Sequence, residues 1–332
     1  MHQGGGRSVE GSGPLPARAL PLALSPPARP CPFPLAPRSL ASVRVLYNPA
    51  SGRGRGARAI AGVRAAFARC GFTDVRGTTQ AGDEARLVRE AIADGIETLV
   101  VAGGDGTWSN CAIPLAQAGS PARMALLAAG TGNDFAKNLG LDPRDPRALA
   151  ERLADGGVRE RRVDMGRVDD TWFLNVAGFG FDVAVLRASL GWRRLRGPAV
   201  YVATALQKIL GYRGEPVSVD GAPPRAHLLA VFSNGAHFGG TFHIAPGARI
   251  DDGALDAVLI DDVPPLARLP ILARAVGGGH LAHARVVHRR TATATLAFDE
   301  APWFEADGEL RRAAGARVTV ASVPGALRVV DA

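Results

Sequence analysis

The chain has 332 residues, nearly half of them hydrophobic, and a formal net charge of +8. That length holds two compact domains or one large one with a sizeable core, and no uninterrupted apolar run approaches the roughly 18 residues of a membrane span. Only Lys137 and Lys208 among the 39 basic residues are lysine, in a chain crowded with Ala, Gly, Arg and Pro, so the charge reads first as a compositional bias.

A basic surface still favours phosphate-bearing partners such as nucleotides or anionic lipid headgroups. Zinc-ligand spacing and aromatic-studded basic helices are both missing, so nucleic acid is not an expected partner. The three cysteines, Cys31, Cys70 and Cys111, are sparse and odd in number. They fit a reducing cytosol better than a disulfide framework. The expected location is the cytoplasm, with at most peripheral contact at the inner face of the membrane.

Residues 1–40 are thick with Pro and Gly and carry neither helical nor strand periodicity. They read as a disordered leader, and "LPLALSPP" is too short and proline-broken for a signal peptide. Order begins with a strand through Val43, Val45 and Tyr47 and a Gly/Arg loop. Ile60, Val63, Phe67 and Cys70 then fall at helical spacing, as do Leu87, Val88, Ala91 and Ile92. The strands "TLVVA" (98–102) and "MALLAA" (124–129) each run into a glycine turn. This alternation predicts an α/β domain with a parallel sheet over 41–160.

The texture then changes. "RERRVDMGRVDDTWFLNVAG" predicts two strands around an Asp-Asp turn, and "AHLLAVFSNG", "LDAVLIDD", "ARVVHRR", "TATATLAF", "ARVTVAS" and "ALRVVD" continue the series. Helical stretches at roughly 198–211 and 264–276 interrupt it. Short strands between turn signals predict an antiparallel, β-sandwich-like domain over 161–332, with the boundary near 157–165.

Ligands of open parallel sheets bind beyond the carboxyl ends of the strands. Three glycine-containing loops occupy that position, Asn48–Gly56, Gly103–Thr107 and Gly130–Asp134. Each leads into a helix whose N-terminus favours anions. One such loop is most often only a turn; three in one domain point to a phosphate site. The chain has no G-x-x-x-x-G-K-[ST] element, which excludes a P-loop NTPase. A dinucleotide fingerprint is approximated by Gly54-x-Gly56-x-x-Ala59 with Asp74 beyond it, but those glycines come several residues after the strand.

"NPASGRGRG", "VVAGGDGTWSN" and "AAGTGNDFAKNLG", at these spacings, resemble the diacylglycerol kinase catalytic domain shared by sphingosine kinases and bacterial soluble lipid kinases. "NVAGFGFD", "FSNGAHFGGTFHIAPGARIDDGALD" and "FEADGEL" extend the resemblance from about residue 43 to the C-terminus. GGDGT also occurs in NAD kinases, and the GTGNDFA and DGE segments favour the lipid kinases.

The resemblance implies ATP lying across the three loops. Asn48, Pro49, Ala50, Ser51 and Gly52 would hold phosphate, with Arg53 or Arg55 adding charge. Gly103, Gly104, Asp105, Gly106 and Thr107 would follow, with Asp105 engaging Mg²⁺ or the phosphates. Thr131, Asn133 and Asp134 would complete the wall, with Thr78 or Thr79 near ATP. Asp307 matches the family's proposed base, with Glu309 as its acidic neighbour; on spacing alone Asp307-Gly308 is a β-turn.

A structural Mg²⁺ would be held by Asp251, Asp252 and the main-chain carbonyl of Leu255, with Asp256 nearby, although a solvated turn accounts for the same residues. The chain departs from the commoner GGDGT-x-N-E pattern, with Ser109 and Asn110 in place of Asn and Glu. That leaves the role of this first helical turn open. His237, His243, His280, His283 and His288 form no metal set. The stretch Trp192-Arg193-Arg194-Leu195-Arg196 suits either an anionic membrane surface or a solvated loop.

The resulting expectation is an ATP- and Mg²⁺-dependent lipid kinase, phosphorylating a hydroxyl of a diacylglycerol-like lipid at the membrane surface. The alternatives are an NAD kinase-like enzyme with a soluble nucleotide acceptor, or a catalytically silent regulatory relative.

Overall fold

The computed structural model describes residues 42–189, 204–205 and 207–331. The leader and the Trp192–Arg196 stretch lie outside the described residues, as does part of the helix expected at 198–211.

The first half alternates as its sequence periodicity requires. Strand β1 (Val43–Tyr47) leads through α1 (Ser51–Arg69) to β2 (Val75–Gly77), and α2 (Asp83–Ala93) to β3 (Thr98–Gly103). Helix α3 (Asp105–Gln117), β4 (Arg123–Ala128), and helices α4 (Asp134–Leu139) and α5 (Pro146–Asp155) complete it. Every residue of β3 is buried, as expected of a strand covered by helices on both faces. β1 pairs in parallel with β2 and β3, and β3 with β4. Helix α5 starts where Asp145 accepts the backbone N–H groups of Arg147 (2.9 Å) and Ala148 (3.1 Å), with Pro146 in its first turn.

The second half is antiparallel. β5 (Arg159–Val168) and β6 (Thr171–Phe173) turn at Asp169-Asp170, as predicted. β7 (Val176–Gly180) is followed by α6 (Phe181–Ser189). Then come β8 (Glu215–Val219), β9 (Arg225–Ser233), β10 (Leu255–Asp261), the helix Pro265–Ala275, β11 (Val286–Thr291) and β12 (Thr293–Ala297). β13 (Trp303–Ala306) and β14 (Glu309–Arg312) form a hairpin, and β15 (Arg317–Asp331) ends the series. The inner faces of the two sheets meet in a core of Phe179, Phe232, Phe304, Leu296, Val318 and Val320. Phe179 stacks on Phe304 at 5.6 Å and meets Phe232 edge-on at 6.4 Å.

One expectation is corrected. "ARVTVAS" and "ALRVVD" are not two strands but the single long β15, with a register shift between Val323 and Leu327 around Pro324-Gly325. Its start pairs with β12, its length with β5, and Arg328 and Val329 lie in parallel beside Arg123 and Met124 of β4. The last strand thus continues the first sheet, and the described residues belong to one compact unit. Among the described residues no helix is long and apolar enough to cross a membrane.

Replacing Phe179, at the centre of the sandwich, by Ala should cost about 3–5 kcal/mol in denaturant unfolding. Truncating the exposed Leu266 should change stability by about 0.5 kcal/mol or less.

Candidate active site

The three glycine loops converge because their strands are neighbours. The carbonyl of Gly103, at the end of β3, accepts the N–H groups of Ala129 (2.7 Å) and Gly130 (3.1 Å), which tie the second loop to the third. A methyl group on Gly104 would lie 2.8 Å from the Cα of Gly130, so only glycines allow this approach. Ser51 and Thr107 are hydroxyl to hydroxyl at 3.1 Å, which joins the first loop to the second. Arg55 donates to the Gly130 carbonyl (2.9 Å) and the Thr131 hydroxyl (3.1 Å). Fully buried Trp108 fixes the start of α3 by donating its indole N–H to the Val101 carbonyl at 3.1 Å.

These loops form one side of a cleft of about 620 Å³. Asn48, Ser51, Gly52, Gly104, Asp105, Gly106, Thr107, Thr131 and Asp134 line it, and Asp307 with Gly308 lines it from the second half. Pro49, Ala50, Gly103 and Asn133 stand behind this lining rather than in it. Thr78 extends β2 by donating its N–H to the Tyr47 carbonyl at 3.0 Å. Thr79 is held at the start of α2, its N–H (2.8 Å) and hydroxyl (2.6 Å) both donating to the Asp83 carboxylate.

Asp105 and Asp134 face each other across Gly132: a Cβ there would lie 3.0 Å from Asp105 Oδ2 and 3.7 Å from Asp134 Oδ2. Burial pushes the Asp105 carboxyl up to about 6, and the charge of Asp134 adds to this against the Phe135 N–H, which donates to it at 3.0 Å. Asp134 accepts from Lys137 Nζ at 2.9 Å and from the Gly240 N–H at 2.7 Å, which brings a loop of the second half over the cleft. Two converging carboxylates beside loops open to phosphate fit a Mg²⁺ ion, which typically takes one or two carboxylates together with phosphate oxygens.

Asp307 is both the turn residue and the cleft residue. Asp307 and Gly308 have φ of 49° and 82°, the left-handed pair that a two-residue hairpin turn between β13 and β14 requires. The same turn aims the carboxylate inward. Oδ2 accepts the Ser109 hydroxyl (2.6 Å) and the Leu174 N–H (2.6 Å); Oδ1 accepts the N–H groups of Asn175 (2.8 Å) and Val176 (3.2 Å). Burial nevertheless raises the Asp307 pKa against these donors. Ser109, the departure from the commoner pattern, therefore connects α3 to the hairpin. Glu309 faces the other way, exposed on β14 and paired with Arg311. The acidic neighbour that does line the cleft is Glu305, two residues before Asp307.

Sequence reasoning also passed over Glu84, which accepts the Asn48 amide at 3.0 Å, and Asn175. His237, unassigned from sequence, lines the cleft and stacks on His243 at 4.7 Å. Asp74, the acidic residue of the dinucleotide reading, is occupied by Arg44 (2.7 Å) and Arg76 (3.0 Å).

The Asp251–Asp256 turn is a network of ion pairs. Asp251 accepts from Arg161 Nη2 at 2.8 Å and lies 3.4 Å from Arg249 Nε, and Asp252 pairs with Arg290. Leu255 begins β10 and Asp256 meets His288 at 2.5 Å. Burial alone would raise the Asp251 pKa; the Arg161 hydrogen bond and charge, with Arg249, hold it below the usual range. Arginines thus supply the countercharge assigned to a cation from sequence, and the donor set does not fit an ion at Asp251, Asp252 and Leu255. Among the described residues no group of three or more His, Cys, Asp or Glu is arranged to hold a metal.

Beside the cleft, and sharing Phe238 with it, is a second cavity of about 250 Å³. Its walls include Phe181, Leu229, Phe242, Ile244, Ile260 and Leu272, with Asp182 and Thr241 as its polar side chains.

Residues 42–168 match the diacylglycerol kinase catalytic domain, and residues 175–331 the YegS C-terminal NAD kinase beta sandwich-like domain. A protein of Pseudomonas fluorescens named "Probable lipid kinase YegS-like" is 35% identical over 260 residues, 77% of this chain and 84% of that one. A Mycobacterium tuberculosis protein named diacylglycerol kinase is 30% identical over 303 residues, 88% of this chain and 95% of that one. A solved structure from Bacillus anthracis titled as a diacylglycerol kinase superposes with a TM-score of 0.65 at 18% identity, covering 89% of this chain and 98% of the other, and shares the fold. With both halves matched in order, the chain belongs to the diacylglycerol kinase catalytic-domain family of lipid kinases.

Proposed function

We infer that the protein transfers the γ-phosphoryl group of ATP to a hydroxyl of a diacylglycerol-like lipid at a membrane surface. The observation that carries this reading is the convergence of three phosphate-approachable glycine loops and Asp307 on one cleft. The adjoining apolar cavity supports a lipid acceptor over a soluble one, because its walls offer an acyl chain burial and a nucleotide little to bond.

The loops at Asn48–Gly52, Gly103–Thr107 and Gly130–Asp134 would hold the ATP phosphates. Asp105 and Asp134 would hold Mg²⁺, which when bound offsets the charge of the phosphate oxygens. The acceptor oxygen forms a bond to the γ-phosphorus as the bond from that phosphorus to the β-phosphate's bridging oxygen breaks. ADP leaves with the electron pair, and the hydroxyl proton passes to Asp307.

A carboxylate offers about four lone-pair positions, and all those of Asp307 are taken. Three donors are backbone N–H groups and cannot move. The Ser109 hydroxyl can rotate away, so its place on Oδ2 is where the acceptor hydroxyl docks. The Asp307 pKa, raised by burial, makes it a stronger base than an exposed carboxylate.

Incubation with labelled ATP and vesicles containing diacylglycerol, phosphatidylglycerol, a sphingoid base or undecaprenol, with NAD as a soluble acceptor, should label the diacylglycerol. Label in NAD alone would favour the soluble-acceptor alternative, and label in none of them would overturn the kinase reading. Asp307→Asn should lower kcat by about 10²–10⁴-fold. Ser109→Ala should lower kcat by no more than about tenfold, because its hydroxyl leaves Oδ2 when the acceptor docks; a loss equal to that of Asp307→Asn would refute the docking role. A chelator should abolish transfer while leaving Tm unchanged, because arginines rather than a cation neutralise the Asp251 turn.

A further inference from the structure

Glu84 stands second in α2, in the first turn of a helix, where a carboxylate ordinarily stays in water. Here it is 3% exposed and forms part of the cleft wall, together with Asn48. The opening of α2 is held instead by Asp83, whose Oδ2 accepts the N–H groups of Thr79 (2.8 Å) and Gln80 (3.1 Å) and the Thr79 hydroxyl (2.6 Å). Glu84 Oε1 accepts the side-chain amide of Asn48 at 3.0 Å, 36 residues earlier in the chain.

Asn48 follows β1 and opens the first glycine loop, and its backbone and side chain both shape that loop. Its N–H donates to the Ala102 carbonyl of β3 at 3.2 Å, and its own carbonyl accepts the Ser51 N–H at 3.1 Å. Its side-chain Oδ1 accepts the Ala50 N–H at 2.9 Å, which makes an Asx turn. An asparagine amide has one accepting end and one donating end. The flipped amide would set Nδ2 against the Ala50 N–H and Oδ1 against the Glu84 carboxylate, donor on donor and acceptor on acceptor. An ionised carboxylate only accepts, so Glu84 selects the orientation in which Oδ1 holds the turn. The turn carries Ser51, whose hydroxyl meets Thr107 at 3.1 Å, and Gly52, at φ 58°, both in the cleft wall. A Cβ on Gly52 would lie 1.9 Å from the Ala129 carbonyl oxygen, so the turn sits close against the chain that enters the third loop.

We propose that Glu84 is a positioning residue for the first phosphate loop: by accepting from Asn48 Nδ2 it fixes the amide whose Oδ1 holds the Ala50–Gly52 turn. The ordering of the turn follows from the hydrogen bonds of the free protein, and its effect on ATP rests on the phosphoryl-transfer reading. Glu84 acts through Asn48 and not on the phosphates, which a carboxylate placed directly against them would repel. Asp105, Asp134 and Asp307 are held by other donors, the N–H groups of Phe135 and Gly240 and the Ser109 hydroxyl among them. Loss of Glu84 therefore falls on ATP binding and spares the transfer step.

The first arm of the test needs no ligand: amide hydrogen exchange in the full chain, wild type against Glu84→Ala and Glu84→Gln. The N–H groups of Ala50 and Ser51 should exchange about tenfold faster in Glu84→Ala. Glu84→Gln, whose side-chain oxygen can still accept from Asn48, should restore most of their protection. Equal protection in all three proteins would overturn the positioning role. The second arm measures transfer from labelled ATP to diacylglycerol in phosphatidylglycerol vesicles. Glu84→Ala should raise KM for ATP about tenfold while changing kcat about twofold or less, and Glu84→Gln should recover most of the loss. The double variant with Asn48→Ala should be no worse than Asn48→Ala alone, because Glu84 acts through Asn48. A loss confined to kcat, or losses that add in the double variant, would overturn the proposal. Should the vesicles take up no label, the kinase reading fails and the exchange arm still decides the role of Glu84 in the loop.

Discussion

The carboxylate of Asp307 is the point on which the two halves of the site agree. Its four donors come from the first turn of α3, in the first half of the chain, and from residues 174–176, which enter β7. The hairpin that carries it comes from residues 303–312. A buried carboxylate with fewer donors would be costly, so the donors and the turn have to assemble together. The long strand β15 makes this possible by continuing the parallel sheet into the antiparallel half, so that loops at the ends of β3 and β4 and the β13–β14 turn face one cleft.

The alternating pattern of the first half was legible because β1, β3 and β4 each run into a glycine-containing loop and helices such as α2 repeat apolar residues at helical spacing. The three loops could be read together as a candidate phosphate site because three glycine loops follow strands of one parallel sheet, where a single one would most often be only a turn. On spacing alone Asp307-Gly308 is a β-turn, and that turn is compatible with the role proposed for the carboxylate. Positive φ at both residues makes the tight hairpin, and the tight hairpin aims the carboxylate inward.

What was not legible depended on partners distant in sequence. Glu309 attracted notice for its place beside Asp-Gly, but strand alternation turns it outward, and Glu305, on the cleft side, takes the interior position. Thr78 and Thr79 lie close to the loops in sequence, yet the Thr79 hydroxyl is taken up by the Asp83 carboxylate. The acidic run at Asp251–Asp256 gave no sign that Arg161, 90 residues earlier, would neutralise it. The unity of β15 was hidden by Pro324-Gly325, which reads as a strand break and acts as a bulge.

In an arginine-rich chain, the carboxylates that escape arginine are informative. Asp74, Asp83, Asp220, Asp251, Asp252 and Asp262 each meet an arginine in an ion pair. Among the described residues, Asp105, Glu305 and Asp307 meet no such partner, and Asp134 has Lys137, one of the chain's two lysines. A guanidinium in the cleft would lower the pKa of a base and compete with a metal for the same oxygens. Burial, unopposed by a guanidinium, raises the pKa values of Asp105, Asp307 and Glu305. The stability given up by leaving these groups unneutralised is concentrated in the cleft, where the proposed transfer would need carboxylates that are still available.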